Sequence, residues 1–89
     1  RYKALGYRIQ VYTGANNRVS KQEALQMKQK VQSYFPELSA YVTFLSPRWV
    51  CRVGDFSSRE EAADYVRQLR RKRISAEVRV VSSTILRAE

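Results

Sequence analysis

Two positions place a polar side chain in the middle of an otherwise apolar strand. Gln10 stands between Ile9 and Val11, and Arg52 stands between Cys51 and Val53. A carboxamide both donates and accepts hydrogen bonds, and a guanidinium offers a planar fork of donors that matches a carboxylate or phosphate. This is the chemistry of recognition, not of bond cleavage. The chain has no histidine and a single cysteine, Cys51. The commonest general base and the commonest zinc ligand are therefore missing, and no internal disulfide can form. No two acids sit at matching positions, so no acid–base constellation can be assembled. The expectation is a non-enzymatic chain with no catalytic residue, no metal and no cofactor.

Alternation and helical spacing indicate which elements hold these side chains. Tyr7 to Tyr12 reads as a strand with Ile9 and Val11 on one face and Arg8, Gln10 and Tyr12 on the other. After the turn-rich "TGANNRVS", Ser20 and Glu23 make a capping box, with Val19 placed to staple to Ala24. The apolar stripe Ala24, Met27, Val31 and Phe35 predicts a helix that Pro36 ends. Ala40 to Leu45 and Trp49 to Val53 read as strands joined by a tight "SPR" turn, with Gly54 ending the second. Ser57 and Ser58 each precede a glutamate by three residues and open a second helix, with a stripe of Ala62, Tyr65, Val66 and Leu69. Ala76 to Val81 closes the series as a strand.

The order β-α-β-β-α-β is one unit repeated: Ala24 matches Ala62, Met27 matches Tyr65, Val31 matches Leu69, and "SAYVTF" matches "SAEVRV". One unit cannot bury its apolar face alone, whereas two interleaved units can. Right-handed crossovers and a short central hairpin predict an α+β, ferredoxin-like (RNP-like) fold. It is a four-stranded antiparallel sheet in the order 4-1-3-2, with both helices on one face. Ile9, Val11, Ala40, Val42, Phe44, Cys51, Val53, Ala76, Val78 and Val80 then face the helices. The other face carries Arg8, Gln10, Tyr12, Tyr41, Thr43, Leu45, Val50, Arg52, Glu77, Arg79 and Val81. A solvated sheet face would be unremarkable. This one mixes amide, guanidinium and phenol with apolar groups, which suits a partner bearing hydroxyls, amides and apolar ring faces.

The chain has 89 residues, 17 basic and 8 acidic, for a net charge of 17 − 8 = +9. That length supports one domain with one modest core. The charge implies an anionic partner without choosing among nucleic acid, lipid and acidic polysaccharide. No apolar run reaches the ~20 residues of a membrane helix. The start at Arg1, in polar sequence with no signal peptide, is expected of a domain cut from a longer protein. "RQLRRKR" (Arg67 to Arg73) resembles a nucleic-acid patch, but it falls at a helix end on the covered side, where cations complement the macrodipole. Trp49 is either core at the sheet edge or a rim platform for a ligand. Cys51 has core parity and is read as a small hydrophobe.

"YRIQV" with its turn and alanine-bearing helix, followed by "WVCRVGDFSSREEAADYVRQL", resembles the SPOR (sporulation-related repeat) domain from about Gly6 to Val81. Gln10 matches the family's strand-one glutamine. Tyr12-Thr13-Gly14 stands where the family often has Gly-Ser-Phe, and Val50 where it often has arginine. Residues 1–6 are expected as a linker, 7–81 as the SPOR-like domain and 82–89 as a loosely held tail. The resemblance implies binding of peptidoglycan glycan strands, stripped of stem peptides as at the division septum, on the open sheet face. The location implied is the periplasm or cell envelope, in a monomeric domain of a larger protein that itself touches neither membrane nor nucleic acid. Gln10 and Arg52 would form the centre of the groove, flanked by Arg8, Tyr12, Tyr41, Thr43 and Arg79. Gln10→Ala and Arg52→Ala are expected to weaken glycan retention with little change in melting temperature. The rivals are RNA binding, which shares the topology but needs a basic-Gly-aromatic-Gly-aromatic strand that "RWVCRVGDF" lacks, and a protein–protein module. The groove also requires that the chain's own tail leave the face bare.

Overall fold

The computed structural model describes residues 2–87. Arg1, at the end of the expected linker, and Ala88 and Glu89, at the end of the expected tail, lie outside the described residues. The elements run β1 (Tyr2–Gly14), α1 (Arg18–Tyr34), β2 (Ala40–Leu45), β3 (Arg48–Phe56), α2 (Arg59–Arg71) and β4 (Arg79–Arg87). The strands form one antiparallel sheet in the order β2-β3-β1-β4. This is the expected ferredoxin-like α+β arrangement, with the two related strands β1 and β3 adjacent at the centre.

The core is the layer between sheet and helices. Ile9, Val11, Cys51 and Val53 from the central strands meet Ala24 and Val31 of α1 and Ala62, Val66 and Leu69 of α2. The small alanines let the helices lie close to the sheet, and the branched residues fill the space between them. Phe35 and Phe56 both contact the Tyr65 ring, closing one end. Burial pushes the Cys51 thiol up to about 12, although Lys28 opposes the shift. The thiol therefore stays protonated and packs as a hydrophobe, as its parity implies.

The helix starts are only partly as expected. Asn17, not Ser20, caps α1: its side chain accepts from the Ser20 N–H at 2.7 Å. Ser20 is buried in the first turn and accepts from the Ala15 N–H at 2.9 Å. Val19 is 66% exposed and staples to nothing. Asn at a cap competes as well as Ser, and the loop geometry decides between them. At α2 Ser58 is the cap, accepting from Glu61 N–H at 3.2 Å, while the Glu61 carboxylate accepts from the Ser57 hydroxyl at 2.7 Å and does not complete the reciprocal box.

The first and last strands, β1 and β4, are both longer than the alternation implies. Tyr2 to Gly6, expected as linker, pairs with Ser83 to Arg87, expected as loose tail, in unbroken register. At its other end β4 begins at Arg79, not Ala76. Ile74 and Val78 are buried in the core, whereas Ala76 is exposed. Phe44, assigned to the core by alternation, is 37% exposed and instead packs on Trp49 with centroids 5.3 Å apart.

Helix α2 stops in a Schellman arrangement. Ile74 N–H reaches the Leu69 carbonyl and Arg73 N–H the Arg70 carbonyl, and buried Ile74 and Leu69 supply the apolar contact. The left-handed position is filled by Arg73, with φ 53°. Glycine takes that conformation without the Cβ clash, which costs about 1 kcal/mol or more. Arg73→Gly should therefore raise the melting temperature, with a gain of up to about 1 kcal/mol in denaturant titration.

Candidate functional site

Two irregularities in the β1–β3 ladder build the face that the helices leave uncovered. In the first, Gln10 pairs with Arg52 and Tyr12 with Cys51, so β1 has one extra residue, Val11. This bulge reverses the alternation beyond it. Tyr12 turns to the helix side, packs on the core and donates to Glu23 of α1 at 2.7 Å. Burial and the Glu23 carboxylate push its phenol above the ordinary range. Tyr12 thus does not join the other expected site residues, and Thr13 comes to the open face in its place. The carbonyl freed at Val11 accepts from the Ser75 hydroxyl.

In the second, Tyr7 pairs with Phe56 and Ile9 with Val53, so Gly54 and Asp55 together oppose Arg8. Gly54 has φ +83°, and a Cβ there would strike the Phe56 ring. Glycine is needed on both counts. Far from ending the strand, it lets β3 continue to Phe56 and turns Asp55 onto the open face.

Gln10 and Arg52 do lie side by side on that face. Gln10 Oε1 accepts from Arg52 Nε at 3.0 Å. Gln10 Nε2 donates to Glu77 Oε2 at 2.7 Å and to Thr13 Oγ1 at 2.8 Å, and Thr13 donates to the same carboxylate oxygen at 2.8 Å. Gln10 is only 2% exposed. It is the floor of the site, with every polar atom engaged, and not the exposed ligand contact that the pattern implied. Arg52 is half-buried. Its Nη nitrogens have no protein acceptor among the described residues.

A second network joins Arg8, Tyr41 and Asp55. The Arg8 guanidinium lies 3.9 Å from the centre of the Tyr41 ring and donates to Asp55 Oδ1 at 2.8 Å. The Tyr41 hydroxyl donates to Asp55 Oδ2 at 2.5 Å, and the Leu86 N–H to Oδ1 at 3.0 Å. Burial alone would raise the Asp55 pKa, but the bonds from Tyr41, Leu86 and Arg8 outweigh it and hold the carboxyl below its ordinary value.

The Leu86 bond brings the end of β4 over the face. A groove of about 250 Å³ remains, lined by Arg8, Tyr41, Thr43, Leu45, Val50, Arg52, Ser83 and Thr84. Four of the expected residues, Arg8, Tyr41, Thr43 and Arg52, converge there, with Gln10 beneath. Arg79 is exposed, pairs with Gln10 across the ladder and stands 3.7 Å from Glu77. The tail neither leaves the face bare nor closes it: it supplies one wall.

Three guanidinium groups therefore meet on one face. Burial, then Arg79 and Arg8, lower the Arg52 pKa from its ordinary value. Arg8 is paired with Asp55, and Arg79 has Glu77 nearby; among the described residues Arg52 has no carboxylate in contact. Thr13, Asp55, Ser83 and Thr84 have no place on the open face as alternation assigns it, whereas Glu77 is assigned to that face but not to the expected site. Gly54 inside a strand is the one sequence signal for a bulge, whereas nothing in "IQVYT" marks the bulge at Val11. Trp49 is half-buried at the rim on the helix side, with Lys21 Nζ 5.2 Å from its ring centre. In the basic run of α2, Arg67 pairs with Asp64 and Arg70 caps the Val78 carbonyl.

Removing Gln10 should strip Arg52 Nε of its acceptor and Glu77 of one of its two hydrogen-bond donors. Gln10→Ala is expected to cost about 1–3 kcal/mol of stability in chemical denaturation, contrary to the unchanged melting temperature implied by an exposed glutamine. Asp55 has its folded-state pKa depressed, so its contribution is present above the ordinary carboxylate value, about 4, and is lost as pH falls through the folded value. In acid titrations followed by circular dichroism, Asp55→Asn should be flatter than the wild type below about pH 4.

No curated protein and no solved structure matches the chain. Among the described residues no helix is long and apolar enough to cross a membrane, and no cluster of three His, Cys, Asp or Glu side chains could hold a metal ion. The SPOR domain family model matches residues 4–79. That family binds peptidoglycan in the bacterial cell envelope, with an association to the division septum, and is a binding family, not a catalytic one. With the match spanning most of its length, the chain belongs to the SPOR domain family.

Proposed function

We propose that the groove binds peptidoglycan glycan strands from which the stem peptides have been removed, and so carries a parent protein to the division septum. The carrying observation is Arg52: a guanidinium held through Nε, lining the groove, with no acceptor for its Nη nitrogens among the described residues. A denuded strand exposes the lactyl carboxylate of each N-acetylmuramic acid, and a bidentate guanidinium–carboxylate pair is among the stronger hydrogen-bonded contacts. An incoming carboxylate would also relieve the crowding of Arg52 by Arg8 and Arg79. Thr43, Ser83 and Thr84 offer hydroxyls to N-acetyl and sugar oxygens, while Leu45 and Val50 face the apolar side of a ring.

The groove volume is below the ~300–1,000 Å³ of small-molecule sites. It suits the substituents of one sugar, with the polymer continuing along the rim past Arg79. Affinity per site is then moderate. The domain would act as a monomeric part of a larger protein in the periplasm, without contacting nucleic acid or membrane itself.

RNA is less well served. The Tyr41 ring is covered by Arg8, and Tyr12 faces α1, so neither aromatic assigned to this face can stack on a base. Two carboxylates, Asp55 and Glu77, also sit among the arginines.

Cosedimentation with sacculi tests the proposal. Retention should rise after amidase removes the stem peptides, and Arg52→Ala should weaken it about tenfold or more, as expected for a charge-assisted hydrogen bond, at unchanged far-UV circular dichroism. Equal retention by intact and denuded sacculi, or by Arg52→Ala and wild type, would place the site elsewhere.

A further inference from the structure

We infer that Glu77, through Gln10, is a positioning residue for Arg52. The inference rests on the proposed glycan site and concerns how that site is held ready. A carboxamide can be turned end for end, and its two ends look alike to everything except their hydrogen-bond partners. Here the partners decide the matter. On one side stands Glu77, which as a carboxylate only accepts; on the other stands Arg52 Nε, which only donates. The reversed amide would set oxygen against carboxylate and N–H against guanidinium. Thr13 reinforces the choice, because it accepts from Gln10 Nε2 while giving its own proton to Glu77 Oε2.

With the amide locked, Gln10 Oε1 holds Arg52 at Nε, on the edge of the guanidinium away from the pair of Nη nitrogens. The Nη pair is left without a protein acceptor among the described residues, on a side chain that lines the groove. Gln10 is 2% exposed, so it acts on a ligand through Arg52. Glu77 comes from the segment between α2 and β4 and is absent from the groove lining. Its carboxylate, joined to Arg52 through Gln10, would by simple electrostatics repel an anion bound there. Position and field thus have opposite effects, and they can be separated.

Glu77→Asp keeps the charge and withdraws the carboxylate by one methylene, whereas Glu77→Gln keeps the length and an accepting oxygen without the charge. Two readouts apply to both variants: affinity for denuded glycan, and protection of the Arg52 Nε–H from solvent exchange, measured by nitrogen-resolved NMR of the arginine side chains. Glu77→Asp should lose about fivefold in affinity, the effect of one hydrogen bond, together with the Nε–H protection. Glu77→Gln should keep both near wild type. The inference is overturned if Glu77→Asp binds as well as wild type, or loses affinity with Nε–H protection unchanged. It is equally overturned if Glu77→Gln binds more tightly while Glu77→Asp does not change, the signature of a carboxylate acting only by its field. Failure of wild type to retain denuded glycan would remove the proposed function, yet the Nε–H protection in the free variants would still decide the positioning role.

Discussion

A buried amide between a donor-only and an acceptor-only neighbour has one orientation, and the open face of this domain is arranged around that constraint. Gln10 sits under the sheet surface with Arg52 on one side and Glu77 on the other. An unsatisfied amide at that depth would cost more than any single bond contributes. The surroundings therefore have to complete it, and each completing group comes from a different part of the chain. Arg52 comes from β3, Thr13 from the far end of β1, and Glu77 from the approach to β4. The three meet only if the two halves of the repeat interleave in the observed register. The polar network thus restricts the sheet to one register more sharply than the apolar core does.

The bulge at Val11 follows from the same demand. Strict alternation would put Tyr12 on the open face and turn Thr13 toward the helices, away from Gln10. One extra residue reverses both. Thr13 then reaches the amide and the carboxylate, and Tyr12 gains Glu23 and the core. The ladder bond given up at Val11 is recovered through Ser75, which also bonds the Glu77 backbone. Ser75 therefore ties the bulge to the segment that carries Glu77. A local defect in pairing becomes the device that brings a sequence-distant carboxylate into place.

The element order, the sheet order and the adjacency of Gln10 and Arg52 are legible in the sequence, because they depend on periodicity, handedness and repetition. Ala24 with Ala62 and Val31 with Leu69 announce two equivalent helices, and a short turn at Ser46–Pro47 leaves β2 and β3 little choice but to pair. What alternation cannot carry is a change of parity inside a strand. Tyr12 is misassigned for that reason, and Thr13 is missed. Nor does period-two patterning reach segments whose two sides are both partly covered. In "YKALG" and "SSTILR", exposed Leu5 and buried Ile85 occupy a ribbon that arches over the face, so neither reads as half of an amphipathic strand. The tail accordingly looks loose in sequence, and in the structure it walls the groove.

The arching ribbon bears on how a domain of a binding family gains selectivity from a shallow sheet. A flat basic face on a chain of net charge +9 would attract any polyanion at low salt, since long-range attraction is indifferent to shape. Asp55 and Glu77 each offset one arginine, leaving Arg52, among the described residues of this face, as the guanidinium without a carboxylate in contact. Asp55 also holds the end of β4 by the Leu86 N–H, so the carboxylate that quenches Arg8 is the one that narrows the face into a groove. Neutralising two arginines weakens non-specific attraction, and narrowing the face makes the remaining guanidinium reachable only by an anion carried on a suitable frame. Discrimination then comes as much from the attraction removed as from the contact kept. A polymer with one carboxylate per disaccharide meets those terms better than one with a charge on every unit.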